Sequence, residues 1–280
     1  MRSRWGARFS RVRLPTEASE AGLVAANLVE IFSSVQGEGT HVGETTLFVR
    51  FGECDLRCRW CDSPHTWRRA TDCRVETRRG TGAFRTLSNP VSLEQSLAAA
   101  VALDVDAHRF ASLTGGEPLL QPDAVLALAR ALRTRGPRIH LETHGLAVGA
   151  LERVVAAVDV VAMDWKLASD VRRASDARRG PVADFHDDHE RFLRIALRAP
   201  EVMVKVVVTP ATDDAEIDAM CERIAAVAPK TPLVVQPVTP FGPVREAPGA
   251  ERLLALVARI ARVLPDVRLI PQTHRLLGAL

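Results

Sequence analysis

From residue 28 onward, short β-rich apolar runs alternate with Ala/Leu-rich stretches of helical character. Runs suited to buried strands fall at 46–51, 109–113, 138–142, 158–163, 202–208, 233–236 and 267–270, and 28–32 reads as an extra strand or edge piece ahead of them. The helices between them have readable ends. Ser92 with Gln95 three residues on forms a capping box before 96–103, and 122–135 is followed by Gly136, suited to a left-handed C′ position. Stretches 185–198, 213–227 and 250–263 stop before Pro200, Pro229 and Pro265. Strand followed by helix, in about six such units, predicts an α/β fold with a parallel sheet, and a partial or complete β/α barrel as its leading geometry.

Two stretches break this rhythm. Residues 68–90 mix charge, Gly and Ser without periodicity and read as an inserted surface loop; 169–182 is similar, Arg/Asp-rich and ending in Gly180-Pro181. The strand–helix pattern resumes on both sides of each, so one domain is expected over 28–280, with 1–27 a disordered extension or the product of a start assigned too early. The arginines at 2, 4, 8, 11 and 13 suggest an organellar transit segment, but Glu17 and Glu20 interrupt it and no amphipathic run is evident.

Composition narrows the class. The 280 residues are 47% hydrophobic and 25% charged, usual for a globular chain, and no apolar run is long enough to cross a bilayer. With 37 basic against 34 acidic residues the net charge is only +3, which disfavours nucleic acid as a partner. Five cysteines and no apolar signal segment argue against a disulfide framework and for thiols in a reducing, cytoplasmic setting.

Three of those cysteines, Cys54, Cys58 and Cys61, form C-x3-C-x2-C directly after the strand at 46–51. Three thiolates on one tight loop can hold three irons of a [4Fe-4S] cluster and leave the fourth open. Zinc is the alternative, with Cys73 as a distant fourth ligand, although zinc knuckles come in two paired halves. Cys73 reads more simply as a solvent-facing thiol, and Cys221, inside a helix pattern, as a small buried hydrophobe. The loop after 109–113 reads Thr114-Gly115-Gly116-Glu117-Pro118, where paired glycines permit positive φ and close approach to the main chain. His65, His140 and His144 near this end read as hydrogen-bonding residues rather than catalysts. The group His186, Asp187, Asp188 and His189 reads as a helix start, with acids at the positive end of the dipole, rather than as a metal patch.

The triad followed by GGEP resembles the radical S-adenosylmethionine (SAM) superfamily, whose modified, incomplete (β/α) TIM-like barrel the chain is then expected to share. The string Glu30-Ile-Phe-Ser-Ser-Val-Gln-Gly-Glu-Gly39, the segment Cys61-Asp62-Ser63 and the terminal Gln272-Thr-His-Arg-Leu-Leu-Gly278 are similar to those of the 7-carboxy-7-deazaguanine synthase family. That resemblance spans about 28–280. It implies a carbon–nitrogen lyase that contracts 6-carboxy-5,6,7,8-tetrahydropterin to 7-carboxy-7-deazaguanine with loss of ammonia, for queuosine or another 7-deazapurine. It also implies a [4Fe-4S] cluster, SAM used catalytically, Mg2+, an electron donor such as flavodoxin or ferredoxin, and a homodimer.

Residue by residue, the resemblance makes Cys54, Cys58 and Cys61 the cluster ligands. Trp60, Cys61, Asp62, Gly116 and Glu117 match SAM contacts, with looser matches at Asp164, Lys166 and Gln236, Pro237, Val238 and Thr239. Ser63 stands where the family has a magnesium-binding Thr. Val35, Gln36, Gly37, Arg50, Thr114, His274 and the terminal Leu280 match substrate contacts. Glu53-Cys54-Asp55 departs from the family's Gly-Cys-Asn, and Arg275 from its Lys. Two alternatives remain at this point: a SAM-dependent activase that places a glycyl radical on a partner enzyme, and a zinc-stabilised binding module.

Overall fold

The computed structural model describes residues 24–176 and 182–279. Seven strands run parallel and in chain order: β3 (Thr45–Phe51), β8 (Phe110–Gly115), β9 (Arg138–Thr143), β10 (Val160–Asp164), β12 (Glu201–Val208), β13 (Leu233–Pro237) and β14 (Val267–Leu269). Most of them are buried along most of their length, as near-continuous apolar runs must be when both faces of a sheet are covered. The sheet continues from β3 through β2 (Leu28–Val35), antiparallel to it, then β5 (Asp72–Glu76) and β6 (Phe84–Ser88). Among the described residues β14 pairs only with β13, so the ten strands form an α/β barrel that does not close.

Helices α1 (Leu93–Ala102), α2 (Pro122–Arg133), α3 (Val148–Val154), α4 (His186–Ala196), α5 (Asp214–Val227), α6 (Ala250–Ile260) and the short α7 (Thr273–Leu277) complete the core. The capping box forms as the sequence predicts: Ser92 Oγ accepts from Gln95 N–H (3.1 Å) and Gln95 Oε1 from Ser92 N–H (2.9 Å). Asp213 caps α5 through Ala215 N–H (2.9 Å), and Gly136 after α2 has φ +117°. No helix of the described residues is long and apolar enough to cross a membrane.

Four expectations need correction. The 28–32 run is no edge piece: β2 is an interior strand, because β5 and β6 extend the sheet beyond it. Those two strands are the 68–90 segment, a hairpin rather than a loop. Its polar outer face hides the period, and only one side packs, with Cys73 and Val75 buried. Cys73 is therefore a core residue, not a solvent-facing thiol; Cys221 is buried as expected. The chain is also ordered before residue 28: β1 (Ala25–Ala26) pairs with β7 (Val91–Ser92), and the buried Asn27 amide bonds the main chain of Ala70. In 169–182, β11 (Val171–Arg173) pairs antiparallel with β4 (Leu56–Cys58), tying that stretch to the cysteine loop. Gly180-Pro181, Leu280 and residues 1–23 lie outside the described residues.

Candidate active site

The cysteine loop leaves the C-terminal end of β3, where loops of barrel strands build active sites. Glu53 enters it at φ +74°, a left-handed conformation that favours glycine, which is the physical reason for the Gly at this point in the family motif. The Gly-Gly-Glu loop after β8 lies directly against this turn. Gly116 N–H donates to Phe51 O (3.0 Å) and Glu117 N–H to Glu53 O (2.8 Å). A Cβ on Gly115 (φ +141°) would stand 2.2 Å from Phe51 O, and one on Gly116 2.1 Å from Glu53 O. The close approach that requires the paired glycines is thus first of all between two protein backbones.

Glu117 does not face the cavity. It is fully buried and accepts from Leu119 N–H (2.9 Å), the Thr143 hydroxyl (2.8 Å) and His144 N–H (2.8 Å). His144 Nδ1 accepts from Leu146 N–H (3.1 Å), so its Nε2 carries the hydrogen donated to Asp55 (2.9 Å) in the cysteine loop. That bond, against the cost of burial, holds the Asp55 carboxyl below the usual range. His144 is a bracing residue, as the sequence suggests.

Cys54, Cys58 and Cys61 line one cavity at this end of the barrel. Burial pushes the Cys54 thiol up to about 11 and Cys58 up to about 12, so metal binding here must displace protons. No three of the His, Cys, Asp and Glu side chains among the described residues converge tightly enough for a single ion. A cubane does not ask for that, since each thiolate meets its own iron. Trp60, Asp62, Ser63, Gly116, Asp164, Lys166, Gln236 and Val238 line the same cavity, as do Gln36, Arg50 and Thr114; Pro237 and Thr239 do not line it. Two buried atoms of cavity-lining residues, Gln236 Oε1 and His140 Nε2, have neither a hydrogen-bond nor an ion-pair partner among the described residues. Leaving such a group unmet costs about 1–3 kcal/mol, which a bound ligand would relieve. The donor set therefore fits a cluster with a polar ligand beside it.

An adjoining cavity holds Val35, Gly37 and His274, and shares Gln36, Glu38, Arg50, Asp62, Ser63 and Glu142 with the first. Its far wall is the C-terminal motif. Gln272 Nε2 donates to Glu38 (2.7 Å) and Asp62 (3.0 Å), Arg275 to Asp62 (2.9 Å), and Thr273 N–H to Gly37 O (2.9 Å). Burial would raise the Asp62 pKa, but the bonds from Gln272, Arg275 and Ser63 bring it down to about 2. A Cβ on Gly37 would sit 2.0 Å from His274 Nδ1, so the glycine is required by the imidazole packed on it.

On the wall of the first cavity lies a charge network in which the sequence assigns Asp164 and Lys166 but not Glu38, Glu142 or Lys205. Lys205, on β12, pairs with Glu38 and with Asp164 (3.2 Å). Lys166 bonds Asp164 at 2.7 Å and lies 4.5 Å from the Trp60 ring centre. Burial opposes both ammonium charges, but Asp164 beside each, with Glu38 beside Lys205, raises their pKa values. Glu142 accepts from Gln36 (2.7 Å), Ser112 (2.9 Å) and Thr114 (2.7 Å). Burial would raise its pKa, yet His140, Thr114 and Lys205 hold it well below the carboxylate range. The missed signal is in the strands themselves: Lys205 is a charge inside the apolar run 202–208, and Glu142 is an acid at the C-terminal end of a barrel strand.

Other candidates have structural work. His65 is exposed. His186 accepts from the Trp165 indole (3.0 Å) and His189 from Lys166 N–H (2.8 Å), while Asp187 and Asp188 occupy the first turn of α4.

The radical SAM superfamily model matches residues 49–224. The chain is 38% identical to the 7-carboxy-7-deazaguanine synthase of Geobacter sulfurreducens over 91% of its own length and 98% of the relative's. It is 34% identical to that of Methanothermobacter thermautotrophicus over the same shares. The crystal structure of QueE from Escherichia coli superposes with a TM-score of 0.57 at 21% identity, covering 94% of this chain and all of that one, a likeness of fold. With a model matched over more than half its length and relatives aligned along nine-tenths of it, the chain belongs to the radical SAM superfamily and, within it, to the 7-carboxy-7-deazaguanine synthase family.

Proposed function

We propose that the chain contracts 6-carboxy-5,6,7,8-tetrahydropterin to 7-carboxy-7-deazaguanine with loss of ammonia, as a cytoplasmic homodimer. The observation that carries this reading is the pair of adjoining cavities, one walled by the three cysteines and the other by the Gln36–Gly37 strip and the C-terminal motif. Cys54, Cys58 and Cys61 would hold the cluster, and Trp60, Asp62, Gly116, Gln236 and Val238 the SAM beside it. When bound, these groups supply the radical that removes a substrate hydrogen.

The chain's own residues bind, orient and shield. The Arg50 guanidinium lines both cavities while its Nε donates to Glu30 (2.8 Å), which fixes the plane of the fork offered to the pterin carboxylate. Gln36 is held at both ends of its amide, by Glu142 (2.7 Å) and by Glu38 N–H (3.1 Å), so it is set before substrate arrives. Thr114 lines the first cavity and His274 the second, and Glu142, kept ionised and lining both, is a hydrogen-bond acceptor for an amino-bearing ring. Ser63 lines both cavities, its hydroxyl now on Asp62 (2.9 Å); with the substrate carboxylate and waters it would serve as a hard oxygen ligand for Mg2+.

The test is direct. Anaerobically reconstituted, reduced protein with SAM, Mg2+ and the carboxylated pterin is expected to yield the deazaguanine by mass without any protein partner; a cluster-loaded preparation that yields none overturns the reading.

A further inference from the structure

The interior of a β/α barrel is ordinarily filled by branched apolar side chains, but here a file of polar groups runs through it. Alternate residues of β9 share one face: Glu142 and His140 at the cavity, and Arg138 at the opposite end of the strand. β8 sets Ser112 opposite His140 and Phe110 opposite Arg138. Ser112 and His140 are buried, at 0% and 1% exposure, and burying such groups costs free energy unless each is bonded.

The hydrogen bonds along this file share one direction. Ser112 Oγ donates to Glu142 (2.9 Å), so it accepts from His140 Nδ1 (3.2 Å), which also lies 3.5 Å from Glu142. His140 Nδ1 therefore carries the hydrogen, and Nε2 presents a lone pair that has no partner among the described residues. The His41 ring stands edge-on to that of His140 with centroids 6.1 Å apart, and Phe110 packs against both, at 4.6 Å and 5.7 Å. His41 Nε2 lies 2.7 Å from Glu201, whose carboxylate Arg138 holds at 2.8 Å and whose side chain is 38% exposed. Burial lowers the His41 pKa against the pull of Glu201, so the ring stays neutral and hands on a proton that it takes up. Lys205, on β12, acts on Glu142 as well.

From this geometry we propose that Glu201, His41, His140, Ser112 and Glu142 form a proton inlet from solvent at the N-terminal end of the barrel strands to the substrate cavity, a proposal that rests on the ring contraction above. Ammonia enters neutral water as ammonium, so each turnover consumes one proton from solvent. The C–N bond breaks with its electron pair going to nitrogen. Hydrogens that the substrate itself loses account for neutral ammonia, and the inlet supplies the one proton more. Glu201 takes that proton from solvent, and His41 carries it to His140 Nε2 through a ring rotation or one water. The Nδ1 hydrogen then moves by way of the Ser112 hydroxyl to Glu142, which gives it to the departing nitrogen. His41 and His140 act through Glu142.

The experiment uses the cluster-loaded protein with SAM, Mg2+ and the carboxylated pterin, and reads kcat, KM and iron content in H2O and in D2O. His41 lines neither cavity, and Glu201 is partly exposed, so both sites accept glutamine without disturbing the active site. His41→Gln and Glu201→Gln are each expected to lower kcat by about tenfold or more at native KM and iron content, and to enlarge the D2O effect on kcat. Imidazole added to His41→Gly is expected to restore most of the lost kcat, which a purely structural role would not give. A folded His41→Gln with kcat within about twofold of native overturns the inlet. So does a loss that follows iron content, or one in His41→Gly that imidazole leaves unchanged. Native protein that forms no product would instead strike the functional reading.

Discussion

The clearest quantitative test of the site's construction is Glu117, since the motif that contains it suggests a ligand contact and the structure shows a brace. Its carboxylate accepts three hydrogen bonds from donors on residues that are themselves buried: Leu119, Thr143 and His144 at 2%, 6% and 6% exposure. Glu117→Gln keeps the shape but puts an amide NH2 where an acceptor stood. One donor then faces another donor, and a single unmet buried group costs about 1–3 kcal/mol. Glu117→Ala strands all three, for about 3–9 kcal/mol at the same cost per group, a large fraction of the 5–15 kcal/mol that usually holds a domain together. Because Glu117 N–H also ties Glu53 O at 2.8 Å, the cysteine loop should loosen with it. Urea unfolding followed by circular dichroism, with iron content after reconstitution, reads both effects. A Gln variant within about 0.5 kcal/mol of native stability would refute the reasoning, because it would mean that no buried donor depends on that oxygen.

Four further outcomes are expected. Gly37→Ala, whose Cβ would fall 2.0 Å from His274 Nδ1, should push α7 from its seat and raise KM by about tenfold or more at unchanged cluster content, an overpacking cost of about 1–3 kcal/mol; unchanged KM would count against the C-terminal motif as a cavity wall. Arg50→Lys should raise KM about tenfold with little change in iron content, because the fork held by Glu30 is lost; steady-state kinetics decide it. Ser63→Ala should lower turnover and flatten its Mg2+ dependence while the cluster absorbance stays; a native Mg2+ curve would remove Ser63 from the metal site. Burial holds His189 well below 6.5, and lowers His41, His108 and His186 as well. These groups stay neutral when folded and gain protons when unfolded. Their stability is therefore fully present above about pH 6.5 and declines as pH falls below it, by up to about 1.4 kcal/mol per pH unit for each histidine. Thermal melts between neutrality and mild acid should show this decline, and a flat profile would contradict it.

The parallel strands, most helix ends and the cysteine triad were legible in the sequence, because each rests on local physics. An apolar run buried on both faces needs no partner to be recognised, a capping box is written within four residues, and three ligands on one loop carry their spacing with them. The resemblance added the Gln36–Gly37 strip and the terminal motif. Only the folded chain showed how these meet: Gln272 reaching Glu38 and Asp62 across more than two hundred residues, or Asp164 held between lysines from β12 and its own loop. Pairing of that kind depends on which strand ends share one mouth of the barrel. The same holds for the 68–90 hairpin, whose half-solvated strands carry little apolar signal until the sheet edge at β2 gives them something to pair with. Local sequence determined which elements form and where the sulfurs stand. Tertiary structure decided which charges face one another, because burial and Coulombic partners are properties of the assembled interior and not of any segment alone.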